Sequence, residues 1–446
     1  MIKHLVNFKG ELFTAAATSA GVAVVRLFSS VILTRLLYPE AFGLMTIVAS
    51  IAFIVEMVSD VGIVGLTIRH AKGDEPQFFH TWWSVRFVRS LFNAGLMFLL
   101  APYLAEWYGQ PDLTLVLRIF SISFVLMGLE SMSIPLSIRR RQTQKMHYIE
   151  LGCLVLSTCF SIIWSYFSRD YFGILYGTLL NQLLMTTASY VLYTDSRAQF
   201  RFHREALREQ FHFARYVMPS SMITLVVSQF DKLLFLKLFD LQLMGLYGLA
   251  VNILTPVDAL ITRLSRNMLY PRCAENFRDD ESTFVEKYYT QSWKLHALVL
   301  AVPALLCGAG AFVVHVLYDS RYAQAGLMVQ LFAMRSVIHV FSSTAEDLLV
   351  ASGMLRVQLA GNVIRLLWLV PAVLLGSHYF GLPGFLAAMM LEMAPTLAYY
   401  LRTLSARGMV IWRYEGVRLL YTLGLVAVGA LSAWVGGELL AALRAS

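Results

Sequence analysis

Charge is scarce in this chain. Only 14% of its 446 residues are Asp, Glu, Lys or Arg, where a soluble globular protein carries about 25%. So few charges cannot keep a chain of this length in water, which excludes a large soluble domain. Cysteine is scarce too. Cys153, Cys159, Cys273 and Cys307 show no paired spacing, which excludes a disulfide framework and a zinc ribbon. The ten histidines are scattered without metal-ligand spacing, and no glycine-rich phosphate loop follows a strand pattern. The sequence therefore assigns no catalytic residue, no metal and no cofactor. The opening MIKHLVNFKGELF lacks a short apolar core followed by a small-residue cleavage site, and reads as an uncleaved first span.

Apolar residues fill the space that charges leave. The set AVILMFWYC makes up 58% of the chain, and mean hydropathy is +0.63. A helix needs about 20 apolar residues to cross a bilayer. Such stretches fall near 12–37, 41–68, 78–104, 113–137, 146–167 and 171–194, then near 213–238, 242–270, 289–317, 323–350, 357–377 and 381–402, with one more near 417–443. They predict an all-α polytopic membrane protein of twelve or thirteen crossings, the thirteenth an additional C-terminal helix.

The placement of Lys and Arg sets the orientation. One side holds most of them, among them Lys3, Lys9, Arg69, Lys72, Arg139, Arg140, Arg141, Lys145, Arg197, Arg201, Arg204, Arg208 and Arg418. The other side holds Arg169, Lys237, Arg321 and Arg444. The richer side is read as cytoplasmic, and the N-terminus with it. The net charge of +8 then reflects topology and contact with membrane lipids, and nucleic acid is excluded as a partner. External connections such as LYPEAF and YDSRYA are short, which argues against an external catalytic domain and so against a polymerase or ligase.

An internal repeat sets the architecture. TRLLYPEAFGLMTIVASI at 34–51 aligns with LKLFDLQLMGLYGLAVNI at 236–253, an offset of 236 − 34 = 202. Arg35 falls on Lys237, Gly43 on Gly245, Leu44 on Leu246 and Ile51 on Ile253, and the same offset places Glu56 on Asp258. YFG recurs at 171–173 and 379–381. Six spans lie between the copies, an even number, so both copies cross in the same direction. The expectation is two parallel-repeat six-helix lobes around a central cavity. The first comprises 1–195, a cytoplasmic linker 196–212, the second lobe 213–403, and a loop with the extra helix 404–446.

The stretch VVRLFSSVILTRLLYPEAFGLMTIVASIAFIVEMVSDVGIVGLTIR at 24–69 resembles the opening of bacterial polysaccharide exporters and O-antigen-type flippases. They belong to the superfamily of multidrug extruders, oligosaccharidyl-lipid flippases and polysaccharide transporters. The matching elements are the Arg-Leu-Leu-Tyr-Pro-Glu-Ala-Phe-Gly turn at 35–43 and Ser-Asp-Val-Gly at 59–62, with similarity of pattern over about 10–405. The resemblance implies a flippase, not an enzyme, that moves an undecaprenyl-pyrophosphate-linked oligosaccharide across the bacterial inner membrane by alternating access. Polysaccharide polymerase and chain-length machinery would be its partners. Family members often carry two extra C-terminal helices, and this chain has room for one. The rival within the superfamily is an ion-coupled multidrug extruder.

Charges inside the spans are costly, roughly 2.5–3.5 kcal/mol each at the bilayer centre, and so mark candidates. Arg86 with Arg89, and Arg263 with Arg266, share helix faces in the inner halves of their spans, and Arg335 lies deep. With Arg26 they form the candidate substrate-binding set, since guanidinium forks match phosphate oxygens. For the paired arginines, snorkelling to lipid phosphates is the competing reading. Glu56 and Asp60, four apart on one face, form with Asn252 and Asp258 the candidate ion-coupling set. Arg26 clamped to Glu56 or Asp60 as a structural pair stands beside that reading. Pro256 near Asp258 fits either a simple kink or a cation site at a broken helix. Glu130 and Glu392 are deep acids without an identifiable partner, and Arg365, Glu150, Glu346 and Asp347 read as interfacial anchors.

Overall fold

The computed structural model describes residues 2–140, 143–191, 199–265, 269–280 and 283–445. Its helices run α1 Ile2–Leu36, α2 Pro39–Val58, α3 Ile63–Arg69, α4 Pro76–Tyr108, α5 Asp112–Phe120, α6 Ile122–Leu129, α7 Ser133–Arg139, α8 Gln144–Ser168 and α9 Phe172–Val191. They continue with α10 Arg204–Leu238, α11 Leu241–Leu264, α12 Tyr270–Asp279, α13 Phe284–Leu317, α14 Ala325–Ala351, α15 Leu355–Met390, α16 Ala394–Ser405 and α17 Trp412–Ala445. No strand occurs among the described residues. Among them, nine helical stretches are long and apolar enough to cross a membrane.

One of those nine stretches, Leu355–Ser405, contains a reversal. Gly381 has φ +61° and ψ −139°, outside the helical region. A Cβ on Gly376 would lie 2.7 Å from the Gly384 carbonyl oxygen. Eight residues along a straight helix would stand about 12 Å apart, so the chain doubles back here, where the sequence separates 357–377 from 381–402. Large apolar side chains such as Phe28, Phe92, Phe167, Phe380 and Leu420 point outward. A water-soluble protein would bury such a surface, and a bilayer covers it. The chain is an all-α, multi-pass membrane protein.

Proline and glycine place the turns. Tyr38 is extended because it precedes Pro39, which opens α2, and Pro76 opens α4 in the same way. Gly109 ends α4 in the left-handed conformation at φ +65°, where a side chain would be strained.

The chain divides into two compact units, residues 1–244 and 245–446. In the first, helices approach through small residues, as membrane helices do where no water drives them together. Ser157, Ser161 and Ser165 form a buried stripe on α8, facing Gly173 and Gly177 of α9, and Ser161 Oγ donates to the Gly173 carbonyl at 2.8 Å. α10 packs on α2 and α4 of this unit. In the second unit α13 is the hub, packed on α14 and α17. A Cβ on Gly308 would strike the α17 backbone at Gly429 and Ala430, and one on Gly429 would strike Leu305. Only hydrogen at these positions permits that approach.

The structure departs from the sequence reading by breaking two spans expected to be continuous. Span 41–68 is α2 and α3 separated by Ser59–Gly62, and span 113–137 is α5, α6 and α7 with an interruption at Glu130–Met132. Conversely, α11 runs unbroken past Pro256, so no helix break adjoins Asp258.

Candidate functional site

The first cluster is built on the break between α2 and α3. Asp60 Oδ1 accepts from the Gly62 amide at 2.9 Å, and Gly62 takes φ +68°, turning the chain out of the helix. Backbone groups freed by a break inside a membrane must find partners within the protein. Arg89 of α4 donates to the Ser59 carbonyl at 3.3 Å, forms an ion pair with Glu56, and lies 3.9 Å from Asp60 Oδ1. Asn93 donates to Ser59 Oγ at 2.9 Å and to Glu56 Oε2 at 3.3 Å. Ser221 of α10 donates to Asp60 Oδ2 at 2.9 Å. Two carboxylates thus share one guanidinium, leaving one negative charge in excess. The Asn93 Oδ1 and Arg89 Nε atoms are buried and lack hydrogen-bond partners among the described residues.

The second cluster secures the break at Glu130. Arg86 lies 2.6 Å from the Glu130 carboxylate. Trp83 Nε1 donates to the Glu130 carbonyl at 3.0 Å, Tyr190 donates to the Leu129 carbonyl at 2.6 Å, and the Ser131 amide donates to Ser189 Oγ at 3.0 Å. Arg26, Arg86, Glu130 and Glu150 line a cavity of about 260 Å³ with Asn181 and Gln182. Arg26 makes no ion pair with another described residue. The expected clamp of Arg26 on Glu56 or Asp60 is therefore corrected: Arg89 takes those acids, because α4 packs on α2 whereas α1 packs on α8.

In the second unit Glu392, 1% exposed, sits in the gap between α15 and α16. Arg365 hydrogen-bonds its Oε1, and Arg335 Nε lies 2.9 Å from its Oε2. Glu130 and Glu392, without partner in the sequence reading, are both paired, and Arg365, read as an interfacial anchor, is bonded to the buried Glu392. A cavity of about 600 Å³ is lined by Thr255, Asp258, Thr262, Arg263, Phe332 and Arg335. Ser336 donates to Asp258 at 2.6 Å, and His339 Nδ1 stands 4.0 Å from it. Asn252 is exposed and does not line this cavity. Arg266 lies outside the described residues.

Of the proposed substrate-binding residues, the structure therefore brings Arg263 and Arg335 together, places Arg26 with Arg86, and ties Arg86 and Arg89 to acids. Of the ion-coupling residues it joins Glu56 to Asp60 and sets Asp258 among the second unit's cationic groups. Sequence reasoning missed Arg418. Expected in a cytoplasmic connection, it is 1% exposed, bonded to Glu415 and to Thr344 at 3.0 Å, with its guanidinium 4.5 Å from the Phe341 ring. Its position at the start of the 417–443 apolar stretch was the available signal. Among the described residues no group of three or more His, Cys, Asp or Glu is arranged to hold a metal.

Three interruptions of the helical bundle, at Asp60, Glu130 and Glu392, each set an acid beside arginine. The chain belongs to the family described as polysaccharide biosynthesis protein, whose model matches residues 32–326. It is 20% identical over 393 residues to the lipopolysaccharide biosynthesis protein WzxC of Escherichia coli (strain K12), covering 85% of this chain and 76% of that one. Its fold is that of lipid II flippase MurJ in an inward closed conformation, with TM-score 0.66 and 12% identity over 97% of this chain and 99% of that one. A multidrug resistance MATE family transporter of the MOP superfamily, inward-facing, gives TM-score 0.62 and 13% identity over 87% and 95%.

Proposed function

We propose that this protein is a flippase for undecaprenyl-pyrophosphate-linked oligosaccharide, carrying the repeat unit of a surface polysaccharide from the cytoplasmic to the periplasmic leaflet of a bacterial inner membrane by alternating access. The N-terminus is cytoplasmic in this reading. A polysaccharide polymerase and chain-length machinery take up its product, and the activity is transport without covalent chemistry. One observation carries the substrate class. The 600 Å³ cavity is lined by Arg263 and Arg335 with one acid, Asp258. Arg335 shares Glu392 with Arg365, so three guanidiniums stand against two carboxylates, a positive balance suited to a diphosphate. A carrier of organic cations would need the opposite balance.

The acid-rich cluster of Glu56, Asp60 and Asn93 supports a separate role in coupling. Its one excess negative charge beside an unpartnered amide oxygen suits uptake and release of a proton or cation. Asp258 is the repeat-related candidate, whereas Asn252, outside the cavity, supports no such role.

The test is transport of the lipid-linked oligosaccharide into reconstituted vesicles. Arg335→Gln with Arg263→Gln should lower the rate at least about tenfold with membrane abundance intact, because Arg365 still holds Glu392. An unchanged rate overturns the assignment of this cavity.

A further inference from the structure

A second cavity in the same unit has a different chemistry. About 400 Å³ in volume, it opens where α11 and α14 end and α15 begins, with α16 forming one wall. That volume lies within the range of about 300–1,000 Å³ usual for small-ligand sites. Most of its lining side chains carry hydroxyl, amide or carboxylate groups, with His339 beside them, and its one guanidinium, Arg365, is taken by Glu392. Among the described lining residues no guanidinium or ammonium is left uncommitted for a phosphate.

Several polar groups here already have partners. Asp347 accepts from Ser265 at 2.9 Å and from Tyr288 at 3.1 Å. Thr396 and Tyr400 donate to the Gly361 and Gln358 carbonyls, strapping α16 to α15. Others do not. Ser342 and Asn362 make no side-chain hydrogen bond to another described residue, and Glu346 uses one oxygen to accept from Gln358 at 2.6 Å, leaving the second open. Ser342 is buried, Glu346 half-buried and Asn362 exposed, and the three line the cavity together. Hydroxyl, amide and carboxylate groups at short range, each able to donate, accept or both, match the alternating donors and acceptors of a sugar ring.

Thr262 lines both this cavity and the Asp258–Arg263–Arg335 cavity, so the two adjoin. We infer that the polar cavity around Ser342, Glu346 and Asn362 is a saccharide subsite, holding the sugar nearest the diphosphate of the transported lipid. The inference rests on the flippase reading and deepens it: the arginine cavity takes the charged linkage, and the polar cavity takes the first ring.

Two probes separate the claims: a short-chain polyprenyl diphosphate, and the same lipid bearing one N-acetylhexosamine. Their affinities for the purified full-length chain are measured by calorimetry. The glycosylated probe should bind about tenfold more tightly. Asn362→Leu and Ser342→Ala should each remove most of that preference and leave affinity for the bare diphosphate unchanged. Ser342→Ala removes a single oxygen and keeps the test sound if Asn362→Leu folds poorly. Preference retained in both variants, or equal weakening toward both probes, overturns the subsite. Equal wild-type affinity for both probes overturns the subsite and leaves the flippase reading standing. Binding of neither probe overturns both.

Discussion

Arg86 lies 2.6 Å from Glu130, the residue at which the fourth crossing breaks, and both are largely buried. The pair thus fixes an irregular stretch of backbone in a region where water cannot. Removing one partner strands the other charge, whereas removing both does not. Arg86→Gln and Glu130→Gln should each destabilise the protein by about 3–5 kcal/mol and lower its membrane abundance. The double variant should recover most of that loss. Thermal unfolding of the three purified variants measures the difference, and equal losses in single and double variants would show that the pair is not a unit.

Gly62 carries the other break. Its φ of +68° is one that side chains rarely adopt, and a Cβ there would lie 2.8 Å from Phe213 of α10. Gly62→Ala should cost about 1–3 kcal/mol from backbone strain alone, and Phe213→Ala should relieve only the contact. A melting temperature unchanged in Gly62→Ala would contradict this geometry.

Lys72 and Glu205 meet at 2.8 Å, which requires the loop before α4 and the first turn of α10 to lie on one face of the membrane. In the proposed topology that face is cytoplasmic. Cysteines introduced at positions 72 and 205 should resist impermeant reagent in intact cells and react after permeabilisation, while one at position 319 should react from outside. Labelling of 72 and 205 from opposite sides would refute the contact, and labelling of both from outside would invert the topology.

Cys273 on α12 is buried. Burial, with the nearby Asp347 charge, pushes its thiol up to about 12, against about 8.5 for a free cysteine. Only the thiolate attacks a maleimide, and a raised value keeps the group protonated through the neutral range. Labelling of Cys273 in the folded chain should therefore remain slow from pH 7 to 9, where a free thiol would gain most of its reactivity. Mass spectrometry of peptides from native and denatured samples reads this out. Rapid native labelling at pH 8 would show that α12 opens.

The spans were legible in the sequence because hydropathy has one cause, the thickness of the hydrocarbon layer. The reversal at Gly381 fell between two predicted stretches for the same reason. Partner choice was not legible. Arg26 and Arg89 are equally plausible partners for Glu56 by depth, and only the packing of α4 against α2 decides. The Ser59–Gly62 segment drew notice as a family-like motif, but its physical meaning, a helix terminated by Asp60 capping Gly62, required the backbone. Glu392 needed two arginines from helices distant in sequence, and no local pattern announces such a convergence.

Arg418 and Gly308 bear on how the second unit is assembled during synthesis. α17 leaves the ribosome well after α13 and α14, yet it supplies the guanidinium that reaches Thr344, itself 3.3 Å from His296 Nε2, and the backbone that closes over Gly308. Until it arrives, α13 presents an open glycine seam to the lipid, and α14 keeps a polar pocket unfilled. A ribosome that stalls before α17 therefore leaves an intermediate whose surface invites a foreign helix. Docking of α17 is the event that closes that seam.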